Sequence, residues 1–232
     1  HNRCRRQRQM CIRDSRSNPN HAILVRSINK GLNPSEYDAL IGCGFKPMFA
    51  RNVLLFPFKP IEQFPKGKRR QILRDERLVE KLDLRWESVD NLNDEQALRI
   101  ANLYDQLYLG KYSQNNPRFT PLFHTECASR RILHYQMLLD GDQIIGVLGM
   151  IVIDGVSTTP ILGYDHGHQH ANVLYRIITA RITRTCSDNN FHRHASSGAN
   201  KFKKLRGGVT NEEFTMVKTC LLYTSDAADD TC

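Results

Sequence analysis

Ile132 to Asp165 reads ILHYQMLLDGDQIIGVLGMIVIDGVSTTPILGYD, and this stretch decides the fold. It holds three apolar-rich runs, Ile132–Leu139, Gln143–Ile153 and Ser157–Asp165, parted by Asp140-Gly141-Asp142 and Asp154-Gly155. Asp-Gly accepts the positive φ of tight hairpin turns, so the runs predict an antiparallel meander of three strands. Downstream, a helical pattern covers about Ala171 to Thr185. A strand follows at Phe191–Ser197, then a short helix near Asn200–Leu205 and a closing strand at Glu213–Val217. Upstream, Ala22–Ile28 reads as a strand and Pro34–Cys43 as a helix with proline in its first turn and Gly44 as its stop. Met48–Phe58 is extended and apolar. Lys66–Leu82 predicts one amphipathic helix with Ile72, Leu73, Glu76, Val79 and Leu82 on its inner face. Leu84–Val89 alternates like a strand. Asn93–Tyr112 is a second long helix with a stripe of Leu98, Ala101, Leu103, Tyr104, Leu107 and Tyr108. Ser113–Thr120 is a proline-broken loop. The order predicts an α+β fold with a largely antiparallel sheet flanked by helices.

The two ends have a different character. Arg5–Ser15 (RRQRQMCIRDS) and Cys220–Asp230 (CLLYTSDAADD) can be encoded by DNA strings that are reverse complements of each other. That is the mark of a sequencing adapter on both ends of a fragment, so residues 1–15 and 220–232 are read as adapter and set aside. The expected natural segment runs from about Arg16 to Thr219 and is open at both ends. The chain has 33 Lys+Arg and 24 Asp+Glu, a net charge of +9. Without the five basic and four acidic adapter residues these become 28 and 20, and the charge is still +8. A basic balance favours polyanionic partners such as phosphates or tRNA. Four of the seven cysteines lie in or beside the adapters. Cys43, Cys127 and Cys186 remain, too widely spaced for a disulfide framework or a thiolate zinc site, so a reducing cytoplasm is the expected compartment. No apolar run nears the roughly 20 residues of a membrane span.

The most specific motif is SSGANKFKKLRGGVTNEEFTMV (Ser196–Val217). It resembles the G…(F/Y)K…RG…E(Y/F) signature of GNAT-like acyltransferase domains of the Fem-type and CelD-like group. KYSQNNPRFT (Lys111–Thr120), ILGYDHGHQHANVLYRIITA (Ile161–Ala180) and the basic helix KGKRRQILRDERLVEKLDL (Lys66–Leu84) resemble that group in the same order. The resemblance covers most of Ile28–Val217. It implies a GNAT-like mixed sheet, with residues 16–90 as a partial first lobe and 91–219 as a nearly complete acyltransferase lobe. It further implies transfer of an acetyl, acyl or aminoacyl group to an amine on a small-molecule or cell-wall-type acceptor. The donor would be acyl-CoA or an aminoacyl-tRNA. In one place the chain departs from the family. Where GNAT enzymes carry a glycine-rich pyrophosphate loop, it reads Asp165-His166-Gly167-His168-Gln169-His170-Ala171, with a single glycine.

The candidate site residues follow. Lys203 and Arg206 lie three apart on the predicted short helix, where paired cations suit a phosphate or a developing oxyanion. Arg206 precedes Gly207-Gly208, where backbone approaches a ligand closely. Tyr164 and Asp165 end the third meander strand. The tyrosine suits a general acid, and the carboxylate suits an amine-orienting group or, alternatively, a turn or N-cap residue. Gly167, Ala171 and Asn172, at the start of a helix with free N–H groups, are the expected donor contacts. The resemblance adds Gly198 and Phe202. Glu213 is either the family's acidic position or a surface residue.

His166, His168 and His170 alternate in one loop, and His192 and His194 share one face of a strand. Their spacing matches no zinc motif, and no metal is expected. Lys66, Lys68, Arg69, Arg70, Arg74 and Arg77 cluster on one helix as a possible polyanion footprint. Two functions are therefore expected to compete: a GNAT-fold acyl or aminoacyl transferase, and an inactive module that docks tRNA through its basic face.

Overall fold

In the computed structural model the described residues are 21–218, together with Arg13 and Ser17. The adapter-like stretches, Arg13 apart, lie outside them. The meander forms as its alternation dictates: β4 (His134–Asp140), β5 (Gln143–Ile153) and β6 (Val156–Tyr164) pair antiparallel. Asp154 and Gly155 take φ of 50° and 75°, the two positive angles of a type I′ hairpin. β3 (Leu84–Val89) adds antiparallel to β4. β7 (His192–His194) adds parallel to β6, so the sheet is mixed. In the unit made of residues 56–195 and 201–208 the strands run β7-β6-β5-β4-β3.

Helices cover both faces of this sheet, which is why β5 and β6 are apolar on both sides. On one face, Leu174, Ile177, Ile178 and Ile182 of the helix Ala171–Asp188 pack with Leu138, Ile145, Leu148 and Leu162. On the other, Ala97, Ile100, Leu103 and Tyr104 of the helix Asp94–Asp105 pack with Tyr135, Met137, Val147 and Ile161. The latter helix approaches so closely that a Cβ on Gly163 would lie 2.5 Å from the Leu103 backbone. In chain order the helices are α1 (Pro34–Gly42), α2 (Lys66–Glu76), α3 (Leu78–Lys81), α4 (Asp94–Asp105), α5 (Pro121–Ser129), α6 (Ala171–Asp188) and α7 (Asn200–Lys204).

The second unit consists of the described residues up to Leu55 with Ser196–Asn200 and Val209–Lys218. Its strands β1 (Ile23–Ile28) and β2 (Lys46–Phe56) flank the C-terminal β8 (Val209–Lys218), all antiparallel. A small core of Ile28, Tyr37, Leu40, Phe45 and Met216 holds α1 to them. Glu213 is buried on β8 and accepts a hydrogen bond from Arg51 Nε at 2.7 Å. Pairing between β1, β8 and β2 joins residues almost 200 positions apart, and no local pattern encodes such a partner.

Three helices differ from expectation. Lys66–Leu82 is two helices: Arg77, with ψ of −13°, breaks α2 from α3 and sends Leu78 and Val79 toward the Leu138–Leu148 core. Asn93–Tyr112 is helical throughout, but α4 gives way to a π-helix at Gln106–Tyr112. The wider turn buries both Leu107 and Leu109 and stacks Tyr104 on Tyr108 at 4.5 Å. Leu98, expected in the stripe, is exposed, and Ala97 and Ile100 take the inner face. The third, α5, escaped the periodicity reading. Its signal is Thr120-Pro121, with Thr120 Oγ1 accepting from the Phe123 N–H as N-cap.

Candidate functional site

Parallel strands β6 and β7 pair only through Val156–Thr158 and His192–His194. The ladder then stops while β6 runs on to Tyr164, which leaves its edge without a strand partner on that side among the described residues. A free strand edge can pair with an extended ligand. The loop 165–170 and α6 follow the end of β6 in the chain, and Tyr175 of α6 links Tyr164 to Phe202 in residues 201–208.

Lys203 is buried, with 5% of its surface exposed, and its Nζ donates to the Ala195 carbonyl just past β7 at 2.6 Å. Burial first, and the charge of Arg193 second, pull its ammonium down to a pKa of about 8. The turn that carries it is tight: the N–H groups of Arg206 and Gly208 both donate to the Lys203 carbonyl at 3.0 Å. Gly207 sits at φ 108°, and a Cβ there would lie 2.4 Å from the Phe64 ring, so glycine is required.

Arg206 is equally buried, but the fork that the sequence offered to a phosphate is taken. Its Nε and Nη2 donate to Asp75 Oδ2 at 2.8 and 2.5 Å, and its Nη1 donates to the Phe202 carbonyl. Asp75, fully buried on α2, receives Arg176 Nε and Nη2 from α6 on its other oxygen at 2.9 and 2.6 Å. One carboxylate therefore ties α2, α6 and the Lys203 turn together. The Arg206 guanidinium also lies 3.6 Å over the Phe202 ring. Phe202 meets Tyr175 at 5.1 Å, and Tyr175 meets Tyr164 at 6.4 Å. An aromatic row thus runs from the end of β6 to the Lys203 turn. Burial pushes the Tyr175 phenol up.

Asp165 is half-buried and accepts from Arg99 Nη2 at 2.7 Å and from the Gly167 N–H at 2.8 Å. Burial pushes its carboxyl up, but these hydrogen bonds and the charge of Arg99 outweigh burial and hold it below its ordinary value. The second contact is an Asx turn, the structural role that competed with catalysis in the sequence. The other loop amides are largely engaged too. His166 N–H donates to Gln106 Oε1, His170 N–H to His168 Nδ1, and Ala171 N–H to the His168 carbonyl. Of the three expected donor contacts, Gly167 and Ala171 have engaged amides, and Asn172 is exposed. His168 Nε2 meets Asp140 Oδ2 at 3.1 Å. Its Nδ1 accepts a hydrogen bond, so Nε2 carries the proton. His192 Nδ1 accepts from the Phe58 N–H. Among the described residues no three His, Cys, Asp or Glu side chains gather as a metal site. Gly198, at φ 79°, belongs to the turn Ser196–Asn200 of the other unit.

Of the residues that the sequence singles out, the structure links Phe202, beside Lys203 and under Arg206, to Tyr164 through Tyr175; Asp75, Arg176, Arg99 and Tyr175 were not singled out. For Asp75 a signal existed. It stands three residues after Ile72, on the apolar face of a basic helix, where a carboxylate needs a buried partner.

No family model matches the sequence, and no curated protein does. Solved structures do. L-PGS from Bacillus licheniformis superposes with a TM-score of 0.64 at 9% identity over 88% of this chain and 70% of its own. FemX gives 0.63 at 10% over 89% and 74%. The C-terminal domain of a putative lysylphosphatidylglycerol synthetase from Agrobacterium fabrum gives 0.59 at 10% over 84% and 67%. The chain therefore shares its fold with L-PGS and FemX, a mixed, largely antiparallel sheet flanked by helices, as expected from its sequence.

Proposed function

We propose that the chain is an acyl or aminoacyl transferase acting on an amine, with Lys203 as the cation that meets the reacting carbonyl or a donor phosphate. The observation that carries the reading is a buried ammonium on a turn that Phe202 and Tyr175 link to Tyr164 at the end of β6, in a fold shared with FemX and L-PGS. A low-dielectric wall strengthens such a charge toward a developing oxyanion. Arg206, committed to Asp75, positions the turn and does not bind substrate. Tyr164 stands at the end of the free edge, where a phenol can protonate a leaving oxygen or sulfur. Asp165, held ionised by Arg99, orients the loop.

An aminoacyl-tRNA donor fits better than acyl-CoA. The 165–171 loop offers few unengaged amides, and its Gly167 N–H is already held by the Asp165 carboxylate. On α2, meanwhile, Lys66, Arg70, Arg74 and Arg77 are exposed on the side away from Ile72 and Asp75. Those four cations suit a phosphate backbone. The same face supports the second reading, a docking module without chemistry, which is distinguished by turnover alone.

The test compares aminoacyl-tRNA and acyl-CoA as donors in single-turnover transfer to an amine, with Lys203→Ala beside the unaltered chain. Transfer from the tRNA ester is expected, and the variant should lose about 100-fold or more in rate while its melting temperature holds. Equal rates in the two proteins would remove Lys203 from the chemistry. Salt-sensitive tRNA binding with no transfer would leave the docking reading.

A further inference from the structure

The two buried arginines among the described residues are treated differently. Arg206 has Asp75, but Arg193 on β7, also 5% exposed, has no carboxylate within ion-pair distance among the described residues. Its Nη1 donates to Thr183 Oγ1 at 3.0 Å and, at the limit of 3.5 Å, to the Thr179 carbonyl. Its Nε is buried without any partner. The Phe56 ring, 4.9 Å from the guanidinium carbon, offsets part of the charge. So does the end of α6, but the carbonyls of Thr185, Cys186 and Ser187 are already met by the amides of Asn189, Phe191 and Asn190. The neighbouring Cys186 thiol cannot supply a negative charge, because burial pushes it up and keeps it protonated. A buried guanidinium with an orphaned donor is costly unless something binds it.

A small pocket lies against it, lined by Phe56, Lys59, Phe64, Ser187, Phe191 and Arg193 among others. Lys59 is exposed and makes no ion pair among the described residues. The pocket is narrow. The room for a water-sized group is about 10 Å³, that of one water or one ligand oxygen. We infer that Arg193 and Lys59 form an anion site that takes a small oxyanion, a phosphate or carboxylate group, where α6 ends and β7 begins. The charge of Arg193 reaches Lys203, but the site lies at the opposite end of α6 from the loop of Gly167 and Ala171, and its test reads anion binding and not transfer.

Thermal unfolding of the full chain in rising inorganic phosphate, with acetate and chloride at equal ionic strength, tests this. Phosphate or acetate should raise Tm saturably, by about 3–6 °C at ten times the half-saturating concentration, and the stronger of the two identifies the group. Arg193→Met keeps the apolar stem and removes charge and orphan donor together. It should fold at an equal or higher Tm and lose the response. Lys59→Glu, at an exposed position, should also lose it, and this variant decides if Arg193→Met does not fold. An equal rise in chloride, a response retained in either variant, or no saturable shift, as expected if the pocket holds only water, would overturn the site.

Discussion

Replacing Asp75 with alanine should be the most damaging single change in the structure. The carboxylate is fully buried, and each of its oxygens takes two N–H groups of one arginine: Arg176 at 2.9 and 2.6 Å, Arg206 at 2.8 and 2.5 Å. Removing it leaves the Arg206 guanidinium, 5% exposed, with no counter-charge, while the partly exposed Arg176 can turn to water. Breaking such a pair from one side costs about 3–5 kcal/mol, a large part of the ~5–15 kcal/mol that holds a typical fold. Urea unfolding followed by circular dichroism measures the loss at unchanged m-value. Asp75→Ala/Arg206→Met removes both charges, so it should recover about 2 kcal/mol or more of that loss. A loss below about 1 kcal/mol, or a double variant no better than the single, would refute the view that Asp75 is the electrostatic anchor of the Lys203 turn.

If Lys203 acts as a cation, its contribution is present below a pKa of about 8 and disappears as pH rises through it. Transfer should therefore fall above pH 8, and Lys203→Arg, which stays charged, should hold its rate there. A rate that rises through pH 8 would make Lys203 a base instead. His124 is buried against Tyr135, its Nδ1 2.9 Å from the hydroxyl, and burial lowers its pKa to about 4. The unfolded chain then binds more protons between about 6.5 and 4, so roughly 2–3 kcal/mol of stability should vanish as pH falls across that window. Phenylalanine at 124 should flatten this slope, and an unchanged slope would contradict it. Gly207→Ala sets a Cβ 2.4 Å from Phe64 at φ 108° and should cost at least about 1–3 kcal/mol in a melting experiment. A neutral result would mean that the turn relaxes freely.

The meander, the long helix after it and the short helix with Lys203 were legible in the sequence because they rest on local rules. Hairpins need Asp-Gly, helices need a 3.6-residue stripe, and caps need particular residues within three positions. The same rules placed Lys203 and Arg206 side by side on one turn. They could not say that one ammonium would meet a main-chain carbonyl while its neighbour's fork closed on a carboxylate 131 residues earlier. Nor could they say that Asp165 would be spent on Arg99, that Arg193 would be buried without an acid, or that the C-terminal strand would lie between the first two. Charge and hydrogen bonding act through space. Two residues become partners only when the packing of helices on the sheet brings them together, and composition along the chain carries no record of that distance. The sequence by itself determined the elements and the kind of chemistry available. The tertiary structure decided which carbonyl or carboxylate each buried cation meets.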